Sequence, residues 1–170
     1  MIKYNLIIFF FFSLSIAQES YYLNQIQNIK DIYYNILDNS IVNGKIYSKN
    51  NNKTYLGDII EGKKNGKWIE LYSNGNKKNE FFYKNGLLNG PYTLWYENNI
   101  KGEYGFYKNN KKDRLLIKWD QKGKKYSSVT FKDGFYHGKK IFYKQNGKVK
   151  YEGIYHEGKC IDGIKKGFRH

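Results

Sequence analysis

A 24-residue spacing between similar segments constrains the fold of this chain more than any other feature of its sequence. Gly66 begins the segment GKWIELYSNGNKKNEFFYKNGLLN. Gly90 follows it by 24 residues, and Gly138 follows Gly90 by twice that interval. A fixed period of this size is typical of arrays in which one supersecondary unit is stacked repeatedly. The sequence therefore predicts a repeat protein.

The segment that begins at Gly66 has the pattern of two short strands separated by turn residues. The predicted strands are Lys67–Tyr72 and Glu80–Lys84, joined at Asn74-Gly75 and closed by Asn85-Gly86. Asparagine followed by glycine tolerates positive φ at both central positions of a type I′ turn. We therefore predict a tight reversal at each pair, so that the unit is a β-hairpin.

Five copies of this unit cover most of the chain, although the first is degenerate and the fourth has lost its opening glycine. The copies are 42–65, 66–89, 90–113, 114–137 and 138–162, with a sixth beginning at 163. We expect an all-β fold: an elongated, twisted antiparallel sheet of about ten strands, made of tandem hairpin repeats over residues 41–170. A short N-terminal cap, residues 18–40, is expected to precede it.

The first 17 residues have the layout of a secretory signal peptide. Lys3 is followed by the apolar run Leu6–Phe12 and by the small-residue ending Ser15-Ile16-Ala17. The apolar run is shorter than the roughly 20 residues that span a bilayer, which argues against the alternative of a membrane anchor. We expect cleavage after Ala17 and a secreted or periplasmic protein.

Residues 18–40 admit two interpretations. Apolar residues at helical spacing, from Ile26 to Leu37, favour a short amphipathic helix. Alternatively, Asp31–Leu37 is a strand that turns at residues 38–40 and pairs with Ile41–Ser48. We expect helix or coil up to about residue 30 and a strand after it.

The formal net charge of +15 favours anionic partners, such as lipid headgroups, nucleic acid, polyanionic sugars or acidic proteins. Many lysines occupy predicted turns, where they also keep the sheet soluble and discourage edge pairing. The only cysteine, Cys160, cannot form a disulfide within the chain.

Side-chain alternation along the strands suggests which residues share a face of the sheet. Odd-numbered positions are mostly apolar or aromatic, which predicts the buried face. Even-numbered positions in the second and third copies form an aromatic patch with neighbouring lysines, a candidate contact surface. The alternative is that these aromatic residues fill a second core. The candidate binding residues are Trp68, Tyr72, Phe82, Lys84, Tyr92, Tyr96, Phe106 and Lys108.

The motif GKWIELYSNG followed by YKNG resembles the MORN repeat in its bacterial variant form. Looser copies are GPYTLWYENN with YKNN, and GKKIFYKQNG with YHEG, so the resemblance covers about Gly44 to the C-terminus, and Arg114–His137 departs from it most. It implies stacked β-hairpins and a role in phospholipid binding, scaffolding or dimerisation. Bacterial members are often labelled YwqK-like antitoxin components, which a signal peptide makes hard to reconcile with a cytoplasmic role.

No pattern of catalytic residues is present in the sequence. His137, His156 and His170 are far apart and flanked by turn residues, and the carboxylates are scattered, so we predict neither an enzyme nor a metal or cofactor site. The predicted function is an exported binding or scaffold module that contacts a protein partner or an anionic lipid or glycan surface. The alternative is an antitoxin or immunity protein for a cognate toxin. Export argues against nucleic acid as the partner.

Overall fold

The computed structural model describes residues 19–49 and 53–164, and within them the fold is all-β, as predicted. The predicted signal peptide, 1–17, lies outside the described residues. The strands of the described part are β1 (Glu19–Tyr22), β2 (Ile26–Ile29), β3 (Ile32–Asn35), β4 (Gly44–Tyr47), β5 (Tyr55–Ile60), β6 (Lys63–Leu71), β7 (Lys77–Lys84), β8 (Leu87–Leu88), β9 (Gly90–Trp95), β10 (Lys101–Lys108), β11 (Lys111–Trp119), β12 (Lys125–Lys132), β13 (Phe135–Tyr143), β14 (Val149–His156) and β15 (Lys159–Ile164).

Thirteen of these strands form one long twisted sheet. From β4 onward the strands pair antiparallel in chain order, except that the short β8 pairs with β7 beside β9. Strand β1 lies on the outer edge of β4 and runs parallel to it, so the sheet is mixed. The sequence predicted about ten strands, all antiparallel; the additional ones come from the N-terminal segment and from the division of one strand into β8 and β9.

Tight two-residue turns join the strands along one edge of the sheet. Asn85 and Gly86 have φ values of 51° and 82°, and Lys84 pairs with Leu87. Positive φ at both central residues defines a type I′ turn, so the prediction for Asn85-Gly86 is confirmed. Equivalent pairs with positive φ at both residues recur at 61–62, 109–110, 133–134 and 157–158. We call this side the tight-turn edge.

The turn at Asn74-Gly75, on the opposite edge, is wider than predicted. Gly75 has a φ of 86°, but Asn74 is not among the residues with positive φ. Instead, the Asn74 side-chain oxygen accepts a hydrogen bond from the Asn76 backbone N–H at 2.9 Å. Tyr72 and Asn76 close the loop through their backbones at 2.8 Å. The prediction of a type I′ turn here is wrong, because the asparagine side chain stabilises a longer turn with only one left-handed residue.

The fourth copy keeps the backbone conformation of the others despite losing its opening glycine. Gly66, Gly90 and Gly138 all have positive φ, and Arg114, which occupies the equivalent position, has a φ of 64°. A residue with a side chain is strained in this region, so the stacking of neighbouring hairpins holds Arg114 there. Its guanidinium lies 4.1 Å from the centroid of the Phe106 ring.

Hydrogen bonds connect each hairpin to the next at both edges. At the tight-turn edge, the N–H of Gly86 donates to the carbonyl of Lys64, and the N–H of Gly134 donates to that of Lys112. At the other edge, the Asn76 side-chain amide donates to the carbonyl of Glu97 at 3.0 Å. These bonds repeat with the sequence because each stacked copy presents the same groups to its neighbour.

The N-terminal segment departs from the predicted helix. Strands β2 and β3 form a separate antiparallel hairpin, preceded by a single 3-10 turn at Leu23–Gln25. Ile26 and Tyr33 pack into one cluster with Ile46, Ile59 and Trp68 of the main sheet. Burial against the sheet explains the error, because tertiary packing overrides a short helical periodicity. The predicted strand after residue 30 is present as β3, and Tyr34 forms a single bridge with Ile41.

No helix within residues 19–49 and 53–164 has the length and apolar character needed to cross a bilayer.

Candidate binding surface

Strand register divides the long sheet into two faces of different character. Trp68 pairs with Phe81, Tyr92 with Gly105, and Leu116 with Val129, and paired residues point to the same side. We call this side the core face, because Trp68, Tyr92, Leu116 and Val129 are all buried on it. The opposite side, which we call the outer face, carries mostly half-buried and exposed side chains.

The predicted assignment of odd residues to the buried face and even residues to the exposed face is wrong. In a two-residue turn the flanking residues pair, as Lys84 does with Leu87, and such residues have opposite parity. Each hairpin therefore places the even residues of one strand beside the odd residues of the next. Residues 24 apart do share a face, but the two strands of one copy alternate in parity.

Large side chains on the core face lie over glycines of neighbouring strands. A Cβ atom at Gly57 would lie 2.5 Å from the Trp68 ring, and one at Gly105 would lie 2.7 Å from the Tyr92 ring. The Tyr92 ring stacks on Phe81 with centroids 5.5 Å apart and contacts Tyr107 at 4.8 Å. A sheet without a second layer over most of its length thus buries its aromatic residues by laying them flat across small ones.

Some core-face lysines lie over aromatic rings. The Lys64 ammonium is 4.3 Å from the Trp68 ring centroid and 5.3 Å from that of Tyr83. Burial among these rings lowers the pKa of Lys64, because desolvation disfavours the charged form. The Lys140 ammonium lies 4.2 Å from the Tyr136 centroid. These lysines contribute to the packing of the core face through cation–π contacts.

Glu103 is the centre of a polar cluster on the core face. Its carboxylate accepts a hydrogen bond from the Tyr92 hydroxyl and forms ion pairs with Lys118 at 2.9 Å and Lys112 at 3.2 Å. The Glu103 side chain is only 14% exposed. Two lysines and a phenol therefore satisfy a carboxylate that is largely removed from water.

The cluster shifts the titration of its members. Desolvation raises the pKa of Glu103, but the hydrogen bonds from Tyr92 and Lys118 and the charges of Lys112 and Lys118 outweigh it, so that the net pKa is lowered. The pKa of Lys118 is raised, first by its hydrogen bond to Glu103. The pKa of Tyr92 is also raised, by burial and by the adjacent carboxylate.

We expect Glu103→Gln to lower the free energy of unfolding at neutral pH by about 1–3 kcal/mol, the usual contribution of hydrogen bonds to a charged group. Because the folded pKa is below the ordinary value of 4.5, ionised Glu103 stabilises the fold above that pH. The stabilisation is lost as the pH falls through the folded pKa. Denaturant unfolding measured from pH 7 to pH 3 should therefore show a shallower acid limb in the variant than in the wild type.

Glu80→Gln is the matched control, because Glu80 pairs with Lys77 at 3.2 Å in a more exposed position. Its loss should be below about 1 kcal/mol, as for exposed ion pairs in general. Equal losses for the two variants, or parallel acid limbs for Glu103→Gln and the wild type, would contradict the buried role of Glu103.

The structure distributes the eight predicted binding residues over three places. Trp68 and Tyr92 are buried on the core face at 4% and 3% exposure, so neither is available as a contact residue. The hydroxyls of Tyr72 and Tyr96 donate hydrogen bonds of 2.8 Å to the backbone carbonyls of Trp95 and Trp119. These two tyrosines connect successive copies along the wide-turn edge.

The other four predicted residues do lie together, on the outer face. Phe82 and Phe106 are half-buried, and Lys84 and Lys108 are exposed. Each pair is separated by the 24-residue period, and the strands that carry them, β7 and β10, lie two positions apart in the sheet.

Lys132 extends this arrangement and was not among the predicted binding residues. It follows Lys108 by 24 residues and, like Lys84 and Lys108, directly precedes a type I′ turn. Within the described residues none of these three lysines has an ion-pair partner. Strands about 4.8 Å apart place the ammonium groups roughly 10 Å from each other along the edge. We call Lys84, Lys108 and Lys132 the lysine column; the period alone could have revealed it.

Exposed apolar side chains accompany the lysine column on the outer face. Leu87 and Phe135, the pairing partners of Lys84 and Lys132, are 42% and 60% exposed. Leu115 and Tyr104 are also exposed on the same face. Positive charge and large apolar groups thus occupy one continuous surface next to the tight-turn edge.

Among the described residues there is no group of three or more histidine, cysteine or acidic side chains placed to hold a metal ion. Comparison of the chain with protein-family models and with curated protein sequences finds no match.

Proposed function

We propose that this protein is a non-enzymatic binding module that attaches to an anionic lipid surface through its outer face. The lysine column carries the proposal: three exposed lysines, without ion-pair partners among the described residues, repeat along one edge of a rigid sheet. A long sheet offers such a surface many equivalent contacts, and no cleft is needed to receive it.

The apolar neighbours of the column favour a lipid surface over a soluble polyanion. Lysines near an anionic membrane each contribute about 1 kcal/mol of attraction, which salt screens. Leu87 and Phe135 can enter the boundary between headgroups and acyl chains beside them, as apolar residues of peripheral proteins do. The net charge of +15 adds a favourable long-range attraction.

The other predicted roles stay predictions. A protein partner and the antitoxin alternative have no specific contact surface in this structure that favours them. The resemblance to MORN repeats and the export of the protein likewise stay predictions, and lipid binding is compatible with both.

We expect the triple variant Lys84→Gln/Lys108→Gln/Lys132→Gln to bind anionic vesicles more than tenfold more weakly than the wild type. Three lysines at about 1 kcal/mol each account for a loss of this size. Co-sedimentation with vesicles of phosphatidylglycerol and phosphatidylcholine, against phosphatidylcholine alone, measures the affinity. Binding of the wild type should also fall steeply between low and physiological salt.

The control removes the same charge from the opposite edge, where Lys122, Lys144 and Lys148 are exposed. Their replacement by glutamine should reduce vesicle binding much less than the column variant does. Equal losses would mean that net charge alone drives binding, and wild-type binding to a soluble polyphosphate but not to vesicles would exclude the lipid surface. Retention of a discrete protein partner at high salt, with no vesicle binding, would instead support the scaffold prediction.

A further inference from the structure

Two histidines that are 19 residues apart in sequence face each other on the outer face. His137 lies in β13 and His156 in β14, next to the paired residues Gly138 and Tyr155. Their imidazole rings have centroids 4.9 Å apart and are inclined by 48°. The sequence analysis assigned both to exposed loop or edge positions, because their spacing matches no metal-binding motif; antiparallel register brings them together.

The distance between the rings is suited to a shared metal ion. A tetrahedral Zn²⁺ holds imidazole nitrogens at about 2.0–2.1 Å. Two rings bound in this way, with the ion between them, have centroids roughly 5 Å apart. The rings therefore already stand at the separation that a common ion requires, and only rotations about the side-chain bonds are needed to direct a nitrogen of each toward it.

The space around the two rings is open to solution. His156 is exposed and His137 half-buried, and both line a cavity of about 470 Å³. The other residues that line it include Asp133, Glu157 and Lys132. The two carboxylates balance the lysine charge together with part of the charge of a divalent ion, and the volume leaves room for coordinated water.

We propose that His137 and His156 form a two-ligand site for a divalent late transition metal, such as Zn²⁺ or Cu²⁺, with water completing the coordination. Imidazole is a borderline ligand that selects these ions over Mg²⁺ and Ca²⁺, and Cu²⁺ binds such sites most tightly. The site is independent of the lipid-binding proposal, because neither histidine belongs to the lysine column.

The test is titration of the mature, tag-free protein with Zn²⁺ and with Cu²⁺, followed by calorimetry. We expect one ion per chain, at least tenfold weaker binding for His137→Ala and for His156→Ala, and no measurable binding of Mg²⁺. Electron paramagnetic resonance of the Cu²⁺-loaded wild type should show coupling to two nitrogens, and coupling to one in either variant. Zn²⁺ should raise the unfolding temperature of the wild type but not that of His156→Ala.

His170→Ala is the matched control, because this residue lies outside the described part of the chain and takes no part in the proposed site. Its affinity for Zn²⁺ should equal that of the wild type. Because His156 is exposed, His156→Ala should keep the wild-type circular dichroism spectrum, so that lost binding reports on the ligand. The proposal is overturned if the wild type binds no Zn²⁺ or Cu²⁺, or if neither His137→Ala nor His156→Ala weakens binding.

Discussion

Replacing Trp68 by alanine is expected to lower the free energy of unfolding by about 3–5 kcal/mol, the range for truncating a buried aromatic residue. The indole is 4% exposed and lies over Gly57. Its N–H donates to the carbonyl of Asp58 at 2.9 Å. The variant would leave a cavity in the one region where the N-terminal hairpin and the sheet share a core, and would remove the partner of a backbone carbonyl. Denaturant unfolding followed by circular dichroism measures the loss.

Trp119→Ala is the control for this prediction. Trp119 lies on the outer face and is only half-buried, so we expect less than half the loss seen for Trp68→Ala. A loss below about 1 kcal/mol for Trp68→Ala, together with weaker binding to vesicles, would restore Trp68 as a contact residue and contradict its burial.

Gly105→Val is expected to destabilise the fold by about 3 kcal/mol, at the upper end of the usual cost of overpacking. A Cβ at this position would lie 2.7 Å from the Tyr92 ring and 3.0 Å from Leu116. The added side chain would therefore displace Tyr92, which also donates the hydrogen bond to Glu103. Thermal and denaturant unfolding of the variant would show the loss directly.

The next copy of the repeat supplies a compensating change. Leu116 and Val129 occupy, one period later, the positions of Tyr92 and Gly105. The double variant Tyr92→Leu/Gly105→Val recreates that pair and should recover most of the stability lost by Gly105→Val, though not the hydrogen bond to Glu103. If the double variant is less stable than either single variant, the size complementarity across this pair is refuted.

Local sequence chemistry was sufficient to predict the strands and one class of turn. Asn85-Gly86 adopts the predicted type I′ geometry, since positive φ is inexpensive for these two residues whatever surrounds them. Asn74-Gly75 has the same sequence but a different turn, because flanking groups and the Asn74 side chain decide the loop length. A dipeptide therefore predicts a reversal of the chain better than it predicts the turn type.

Half of the predicted binding surface was right in place, although for an incomplete reason. Phe82, Lys84, Phe106 and Lys108 share the outer face because they are one period apart on strands of equal position in the repeat. Trp68 and Tyr92 were grouped with them by parity alone, and each two-residue turn reverses parity between the strands that it joins. The period was a sound guide to the face, and parity across a hairpin was not.

The sequence by itself determined the all-β repeat and its 24-residue period, because turn preference and apolar alternation act over a few residues. Tertiary structure decided which face is buried, which tyrosines connect the copies and which distant residues become neighbours. Register across strands fixes these properties, and register depends on the size of the turns and on how Trp68 and Tyr92 fit over glycines. The pairing of His137 with His156 follows from the same register, which is why the spacing of the histidines in the sequence gave no sign of it.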